Sequence, residues 1–128
     1  MEKHPMLVTA AIIEKDNKFL ITQRPDDGRH NANKWEFPGS KLEFGEQPRE
    51  CLEREIKEEL GIEVKAEDIF AISSHVYGEK HVVLLGFHCK IISGDIQKHD
   101  ISDFKWVSKE NMSNYDIAEA DIKFVEKL

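Results

Sequence analysis

Residues 47–60 constrain the fold of this chain more than any other segment of its sequence. Three of their apolar side chains recur at every fourth position and would form one stripe along an α-helix: Leu52, Ile56 and Leu60. Pro48 stands where the first turn of a helix tolerates proline, and Gly61 stands where glycine commonly ends a helix. The spacing predicts a helix over 47–60 with a single apolar face. Such a face has to be buried against another layer of structure.

Short apolar runs on both sides of this helix predict that the other layer is a β-sheet. Residues 7–13 and 18–24 flank the turn signal Asp16-Asn17 and predict a hairpin, and residues 35–39 predict a short aromatic strand. Further strands are predicted near 62–64, 69–77, 81–92 and 103–107, and a terminal helix over 117–128 with Asp116 as its cap. This order predicts an α/β (α+β) fold, a sandwich in which a mixed β-sheet lies between helices. The length fits a single domain spanning residues 1–128.

The composition excludes several classes of protein. The chain has 25 acidic and 18 basic side chains and a net charge of −7, so it lacks the basic surface of a non-specific nucleic-acid binder. Its longest apolar run, residues 82–87, is far shorter than the ~20 residues of a membrane span, and residues 1–6 lack the apolar core of a secretion signal. Cys51 and Cys89 form no CxxC pair and are expected to be reduced thiols. We therefore expect a cytoplasmic protein whose partners include neither a membrane nor a nucleic-acid polymer.

The negative charge is concentrated on the predicted helix and its approach. Residues 43–63 contain eight acidic and three basic side chains, which accounts for −5 of the net −7. At about 100° per residue, Glu55, Glu58 and Glu59 fall within roughly a 100° arc beside the apolar stripe. Like charges at these spacings cost a few tenths of a kcal/mol each when solvated, and more when they are partly buried. A hard divalent cation, Mg²⁺ or Mn²⁺, would relieve that repulsion. The alternative is a solvated acidic face balanced by neighbouring basic residues.

The same segment carries a longer motif. Residues 40–62 follow the pattern G-x5-E-x7-R-E-U-x-E-E-x-G-U, where U is apolar, at eight of its nine fixed positions: Glu46, Arg54, Glu55, Ile56, Glu58, Glu59, Gly61 and Ile62. This stretch resembles the Nudix box. Gln23-Arg24, residues 33–39 and Trp106 are also similar to the MutT branch of that family. The single departure is Ser40, which stands where the box opens with glycine. A serine there costs about 1–2 kcal/mol if the position requires a positive φ or a close approach, but activity is expected to survive because the carboxylates are intact.

The resemblance implies a metal-dependent hydrolase of phosphoric anhydrides. MutT-like Nudix enzymes convert nucleoside triphosphates to the monophosphate and pyrophosphate by attack of water within the polyphosphate chain, and sanitation of the nucleotide pool is a role this implies. The implied cofactor is Mg²⁺, with Mn²⁺ as a substitute. The implied metal ligands are Glu55, Glu58, Glu59 and the carbonyl group of Gly39. Arg54 would orient the glutamates through charge-assisted hydrogen bonds, and Glu46 would support them.

Two parts of the implied site stay open at the level of sequence. The general base is either a helix glutamate, Glu55 or Glu58, or else Asp100, which lies six residues before Trp106 as a loop carboxylate does in MutT. Together with Arg54, these residues form the predicted catalytic set. The predicted substrate contacts are Arg24, Phe37, Lys41 and Glu119. Glu119 falls, by ungapped counting, where MutT reads oxidised guanine with an asparagine. A carboxylate accepts hydrogen bonds from a base but donates none unless it is protonated, so cytidine or a damaged pyrimidine stays open as the substrate.

Other functions compete with this interpretation. Within the family, the alternative is a hydrolase of dinucleoside polyphosphates or of another nucleoside-diphosphate-X compound, because Tyr77 lies near the tyrosine of dinucleoside tetraphosphate hydrolases. From another class, the alternative is a Nudix-like nucleotide-binding regulatory domain without catalysis, against which the three intact glutamates argue. The expected partner is a small nucleotide, and members of the family occur as monomers and homodimers.

Overall fold

The structure, a computed structural model, describes residues 3–29 and 31–128. His30, together with Met1 and Glu2 from the stretch 1–6 that lacks the apolar core of a secretion signal, therefore lies outside the described residues. The strands are β1 (Met6–Lys15), β2 (Lys18–Gln23), β3 (Trp35–Glu36), β4 (Glu63–Tyr77), β5 (Lys80–Ser93) and β6 (Asp103–Val107). The helices are α1 (Pro48–Leu60) and α2 (Glu119–Lys127), and a 3-10 turn covers Lys109–Asn114.

The strands form a mixed sheet. At its centre β1 runs parallel to β5, from the pair Met6 and Val82 to the pair Ile13 and Cys89, and β5 pairs antiparallel with β4. The β1–β2 hairpin turns at Asp16 and Asn17, whose positive φ angles of 52° and 63° suit a two-residue turn. Beyond that turn β1 and β2 diverge, and β2 pairs instead with β3 and β6.

The segment that leads into α1 lies along β1, in the opening that this divergence creates. The backbone N–H groups of Ala11 and Thr9 donate to the carbonyl groups of Pro38 and Ser40 at 2.7 and 2.8 Å. Gly39 between them has no room for a side chain, because a Cβ atom built there would lie 1.9 Å from the carbonyl oxygen of Thr9. Alternation along an extended segment turns the Gly39 carbonyl away from β1.

Helices cover the two faces of this sheet. The β1 residues Ala11 and Ile13 pack in one cluster with the stripe of α1, and the alternating residues Ala10 and Ile12 pack in another with Phe124 of α2. Because neighbouring residues of a strand point to opposite faces, α1 and α2 lie on opposite sides of the sheet. The predicted sandwich, with a mixed sheet between helices, is confirmed.

The predicted helix α1 is also confirmed. It begins at Pro48 and ends before Gly61, which has a φ of 69° and donates its N–H to the carbonyl group of Lys57. The apolar stripe of the helix is fully buried. The two strands predicted near 62–64 and 69–77 are one strand, β4, with register shifts between Ala66 and Ala71.

The start predicted for the terminal helix is wrong. The helix begins at Glu119, and Asp116 does not cap it. The N–H of Trp35 donates to the carbonyl group of Asp116 at 2.8 Å, and the N–H of Ala118 donates to the carbonyl group of Trp35 at 2.9 Å. Residues 116–118 are therefore held extended beside β3, and the helix starts only after that pairing ends.

Candidate active site

Arg54 gathers three glutamates at the exposed side of α1. Its Nη2 atom donates to Oε2 of Glu46 at 2.8 Å, and its Nη1 atom donates to Oε1 of Glu55 at 3.0 Å and to the carboxylate of Glu58 at 3.2 Å. The hydrogen bond from Arg54, together with one from the N–H of Glu43, lowers the pKa of Glu46. Hydrogen bonds to Glu46 and Glu58 in turn hold the pKa of Arg54 above its usual range. One guanidinium thus fixes the orientation of carboxylates from both the loop and the helix.

Glu59 lies outside this network, on the side of α1 that faces the loop after β5. Burial, and after it the negative charges of Glu55, Glu36 and Asp100, raise the pKa of Glu59 to about 8 against the opposing charge of Arg24. The backbone brings the loop there, because the N–H of His99 donates to the carbonyl group of Glu59 at 3.1 Å. Negative charge therefore accumulates around a half-buried carboxylate without enough local cations to balance it.

The donor set at this place fits a divalent cation that retains water. Within residues 3–29 and 31–128, no three His, Cys, Asp or Glu side chains form a preassembled metal cage. Mg²⁺ does not need one, because it is commonly held by one or two carboxylates together with substrate phosphates and water. Glu59, the carboxylates of Glu55 and Glu58, and the carbonyl of Gly39 are oxygen donors of the type that Mg²⁺ and Mn²⁺ prefer. A cation there would offset the charge that raises the pKa of Glu59.

A cavity of about 500 Å³ opens beside Glu59, a size that suits a single small ligand. Six of the residues predicted from the sequence line it: Arg24, Phe37, Gly39, Lys41, Glu59 and Asp100. Two cationic side chains, a loop carboxylate, a helix carboxylate and an aromatic ring therefore surround one space. Such a set can hold an anionic ligand at one end and a flat apolar group at the other.

Two acidic residues in the same cavity have no counterpart among the predicted site residues. Asp121 is only 4% exposed, and its Oδ2 atom accepts the N–H of Phe37 at 2.9 Å. Burial, and then the charge of Glu36, raises the pKa of Asp121 well above its usual value. Burial also raises the pKa of Glu36, although Arg24 opposes this from 3.5 Å. The pair adds a buried acidic wall beside Phe37.

Sequence signals for these two residues were weak. Glu36 stands in a strand between two aromatic residues, and Asp121 stands in the first turn of a helix, where an acidic residue is ordinary. The hydrogen bond that gives Asp121 its position joins residues 84 apart in the chain. The available hint was that Asp121, an acidic residue, stands two positions after the start of a helix with a buried face.

Four of the predicted residues lie away from the cavity wall. Arg54 and its partner Glu58 face outward, and the side chain of Glu58 is 58% exposed. Glu55 is 17% exposed and contacts Arg54. Glu119 points to the other side of α2, where its Oε2 atom lies 2.8 Å from Nε2 of His75. Asp121, rather than Glu119, is the acidic residue of α2 that lines the cavity.

Ser40 occupies the first position of the box without strain. Among the described residues other than glycine, the positive φ angles are those of Asp16, Asn17, Asn31 and Asn33. Ser40 therefore has an ordinary backbone conformation, and its carbonyl group accepts hydrogen bonds from both the N–H and the hydroxyl group of Thr9. The close approach to Thr9 restricts the preceding residue, Gly39, to glycine.

Neither α1 nor α2, the α-helices of the described part of the chain, has the length and apolar character needed to cross a membrane.

Comparisons with known proteins agree with this geometry. A family model described as NUDIX domain matches residues 8–127. The CTP pyrophosphohydrolase of Escherichia coli (strain K12) is 38% identical over 119 residues, which cover 93% of this chain and 87% of that protein. The 8-oxo-dGTP diphosphatase of the same organism is 29% identical over 126 residues, covering 98% of this chain and 97% of that protein. The solution structure of the E. coli ORF135 protein has a TM-score of 0.83 and 35% identity, covering 98% of this chain and 89% of that one.

Proposed function

The chain belongs to the Nudix hydrolase family, and from that premise we propose that it is a Mg²⁺-dependent enzyme that hydrolyses nucleoside triphosphates, with cytidine triphosphate preferred, to the monophosphate and pyrophosphate. One observation carries the proposal: a single cavity is lined both by Glu59 and Gly39 of the box region and by Phe37 and Asp121. A nucleotide has the matching polarity, with a polyphosphate at one end and a flat base at the other. The 38% identity to a CTP pyrophosphohydrolase supports the same substrate class.

The part of the cavity beside Glu59 is the proposed phosphate end. A divalent cation held by Glu59, Glu55, Glu58 and the Gly39 carbonyl would supply positive charge that offsets the phosphates and favours ionisation of water. Arg24 and Lys41, which line the cavity, contact the phosphate oxygens. Arg54 is a positioning residue, since it holds Glu55 and Glu58 in place from 3.0 and 3.2 Å without lining the cavity.

Asp100 is the proposed general base. It lines the cavity, and its charge contributes to the raised pKa of Glu59, so it lies close to the proposed phosphate end. Glu55 and Glu58, by contrast, already accept hydrogen bonds from Arg54. Asp100 takes a proton from the water that attacks a phosphorus atom within the chain. A new P–O bond forms as the P–O bond to the departing pyrophosphate breaks.

Phe37, Asp121 and Glu36 form the proposed base end. Phe37 is only 3% exposed, and the part of it that lines the cavity offers the base an apolar contact. Asp121 accepts hydrogen bonds from an exocyclic amino group and, because its pKa is raised, also donates to a ring nitrogen when it is protonated. Cytosine presents this pairing of an amino donor beside a nitrogen acceptor. Glu119, which pairs with His75, is assigned no contact with the base.

Tyr77 has a structural role that explains its presence without contact to a second nucleoside. Its hydroxyl oxygen accepts the N–H of Ala120 at 2.8 Å and so joins the β4–β5 hairpin to the start of α2. A cavity of about 500 Å³ also suits one nucleotide better than a dinucleoside polyphosphate. A mononucleotide triphosphate is therefore the favoured substrate.

The experiment is a product analysis on the purified protein. CTP, dCTP, UTP, GTP, 8-oxo-dGTP and a dinucleoside tetraphosphate are each incubated with Mg²⁺, with Mn²⁺ or with a chelator, and the products are separated by ion-exchange chromatography. The proposal expects monophosphate and pyrophosphate from CTP, and no reaction with the chelator. Glu58→Gln is expected to lower kcat by about 100-fold or more. The matched control Glu63→Gln, which changes an exposed glutamate paired with Lys57 at 3.8 Å, should leave kcat unchanged. Equal activity in Glu58→Gln and the wild type would contradict the assignment.

A second measurement separates the candidates for general base. The pH dependence of kcat is compared for the wild type, Asp100→Asn and Glu55→Gln. Loss of Asp100 should remove the acidic limb of the profile, whereas Glu55→Gln should weaken Mn²⁺ binding and leave the shape of the profile unchanged. An unaltered profile in Asp100→Asn would move the role to a helix glutamate.

A further inference from the structure

Asn31 is a residue of the cavity wall that carries a buried hydrogen-bond acceptor without a partner in the described part of the chain. Its side-chain oxygen Oδ1 is buried and has no hydrogen-bond partner among the residues that the structure describes. Asn31 also lines the cavity, and its φ of 66° lies in the left-handed region that asparagine tolerates better than most residues. A buried polar atom without a partner costs stability, so an arrangement that retains one calls for an explanation in terms of function.

The rest of the Asn31 side chain is held in place. The Tyr77 hydroxyl oxygen accepts a hydrogen bond from the Asn31 side chain. Burial raises the pKa of Tyr77, and this hydrogen bond partly opposes that effect. The same oxygen accepts the N–H of Ala120 at 2.8 Å. The amide nitrogen of Asn31 is therefore engaged with Tyr77, and its oxygen is the side-chain polar atom without a partner among the described residues.

This acceptor belongs to the base end of the cavity. Ala120 is adjacent to Asp121, whose carboxylate accepts the N–H of Phe37. The charge of Asp121 also contributes to the raised pKa of Tyr77, so the two side chains lie close together. A chain of contacts thus runs from Asn31 through Tyr77 and the start of α2 to Phe37.

We propose that Asn31 determines base specificity by accepting a hydrogen bond from the exocyclic amino group of the substrate base. The inference rests on the proposed nucleotide hydrolysis and names a residue for its selectivity. Uracil carries a carbonyl oxygen where cytosine carries the amino group, so two acceptors would face each other and UTP is rejected. On a cytidine nucleotide, the ribose hydroxyl groups are the other donors. The amino group is favoured because Phe37 and Asp121, the neighbours along this chain of contacts, form the base end.

The test uses a pair of glycine variants in one loop. Glycine adopts positive φ without cost, so Asn31→Gly removes the carboxamide and keeps the backbone conformation. Asn33→Gly is the matched control, because Asn33 has the same φ of 66° but is exposed and is not among the residues lining the cavity. For each protein, kcat/KM is measured with CTP, dCTP and UTP, and the affinities for CMP and UMP are measured by calorimetry. Asn31→Asp serves as a second variant that keeps an acceptor oxygen.

The proposal expects the ratio of kcat/KM for CTP to that for UTP to fall about tenfold or more in Asn31→Gly. It expects the ratio to change by less than about twofold in Asn33→Gly and Asn31→Asp. The CMP-to-UMP affinity ratio should fall in parallel, while the CTP-to-dCTP ratio stays constant. An unchanged CTP-to-UTP ratio in Asn31→Gly would overturn the inference, and a change confined to the CTP-to-dCTP ratio would assign the contact to the ribose instead. If the wild type hydrolyses CTP but does not discriminate against UTP, this inference fails and the proposed function stands. If it hydrolyses no nucleotide, both fail.

Discussion

Replacement of Asp121 separates two contributions of a buried carboxylate to stability. Asp121→Asn keeps an oxygen that accepts the N–H of Phe37 at 2.9 Å and removes the negative charge beside Glu36. Asp121→Ala removes both. It leaves a buried N–H unpaired, which costs about 1–3 kcal/mol of the free energy of unfolding. Asp121→Asn should therefore be more stable than Asp121→Ala at neutral pH by about 1–3 kcal/mol.

The sign of the pH effect follows from the direction of the pKa shift. The pKa of Asp121 is higher in the folded protein than in the unfolded chain, where it is about 3.9. Between these two values the folded state binds more protons than the unfolded state, so wild-type stability falls as the pH rises through that interval. For each unit by which folding raises a carboxyl pKa, the free energy of unfolding falls by about 1.4 kcal/mol at a pH above both pKa values. Asp121→Asn does not titrate, so its stability relative to the wild type should increase as the pH rises from 4 to 8.

Urea unfolding followed by tryptophan fluorescence measures both quantities. Wild type, Asp121→Asn and Asp121→Ala are compared at pH 4, 6 and 8. Arg24 and Glu36, the charged groups that face Asp121, are present in all three proteins. The reasoning would be refuted if Asp121→Asn were destabilised as much as Asp121→Ala, or if its stability difference from the wild type did not change with pH.

Three further predictions concern positions with distinct physical roles. Arg54→Lys keeps the charge but cannot hold three glutamates at once, so kcat should fall about tenfold or more while the melting temperature stays within a few degrees. Gly39→Ala places a Cβ atom 1.9 Å from the carbonyl oxygen of Thr9 and should lower the free energy of unfolding by more than about 2 kcal/mol in urea titrations. Burial raises the pKa of the Cys89 thiol to about 12 and also raises that of Cys51, so neither should react with a thiol reagent at pH 8 until the protein is unfolded.

Each of these predictions has a definite contrary result. Wild-type kcat in Arg54→Lys would show that orientation of the glutamates does not limit the reaction. A Gly39→Ala protein as stable as the wild type would show that the segment along β1 can move aside without cost. Rapid modification of either thiol in the native protein, at a rate independent of urea, would contradict the burial assigned to Cys51 and Cys89.

The parts of the structure that were predictable from sequence are those with local causes. The helix α1 follows from a four-residue apolar repeat and from the conformational preferences of Pro48 and Gly61. The β1–β2 hairpin follows from Asp16-Asn17, because few other residues accept two successive positive φ angles. The three helix glutamates could be placed on one arc because helical geometry alone determines their relative positions.

The parts that were not predictable depend on contacts between distant segments. The late start of α2 results from pairing between Trp35 and residues 116–118, which no signal near Asp116 reveals. The placement of Asp121 depends on the N–H of Phe37, and the unpartnered oxygen of Asn31 depends on Tyr77. Counting along the sequence selected Glu119, whereas the rotation of α2 on the sheet directs Asp121 into the cavity.

The measurement that tests the central claim most directly is the identification of products from CTP in ¹⁸O-labelled water with Mg²⁺. We predict CMP and pyrophosphate, with the label in one of these two products and with hydrolysis slower by about 100-fold or more in Glu58→Gln. Formation of CDP and orthophosphate, or no hydrolysis of any nucleoside triphosphate by the wild-type protein, would contradict it.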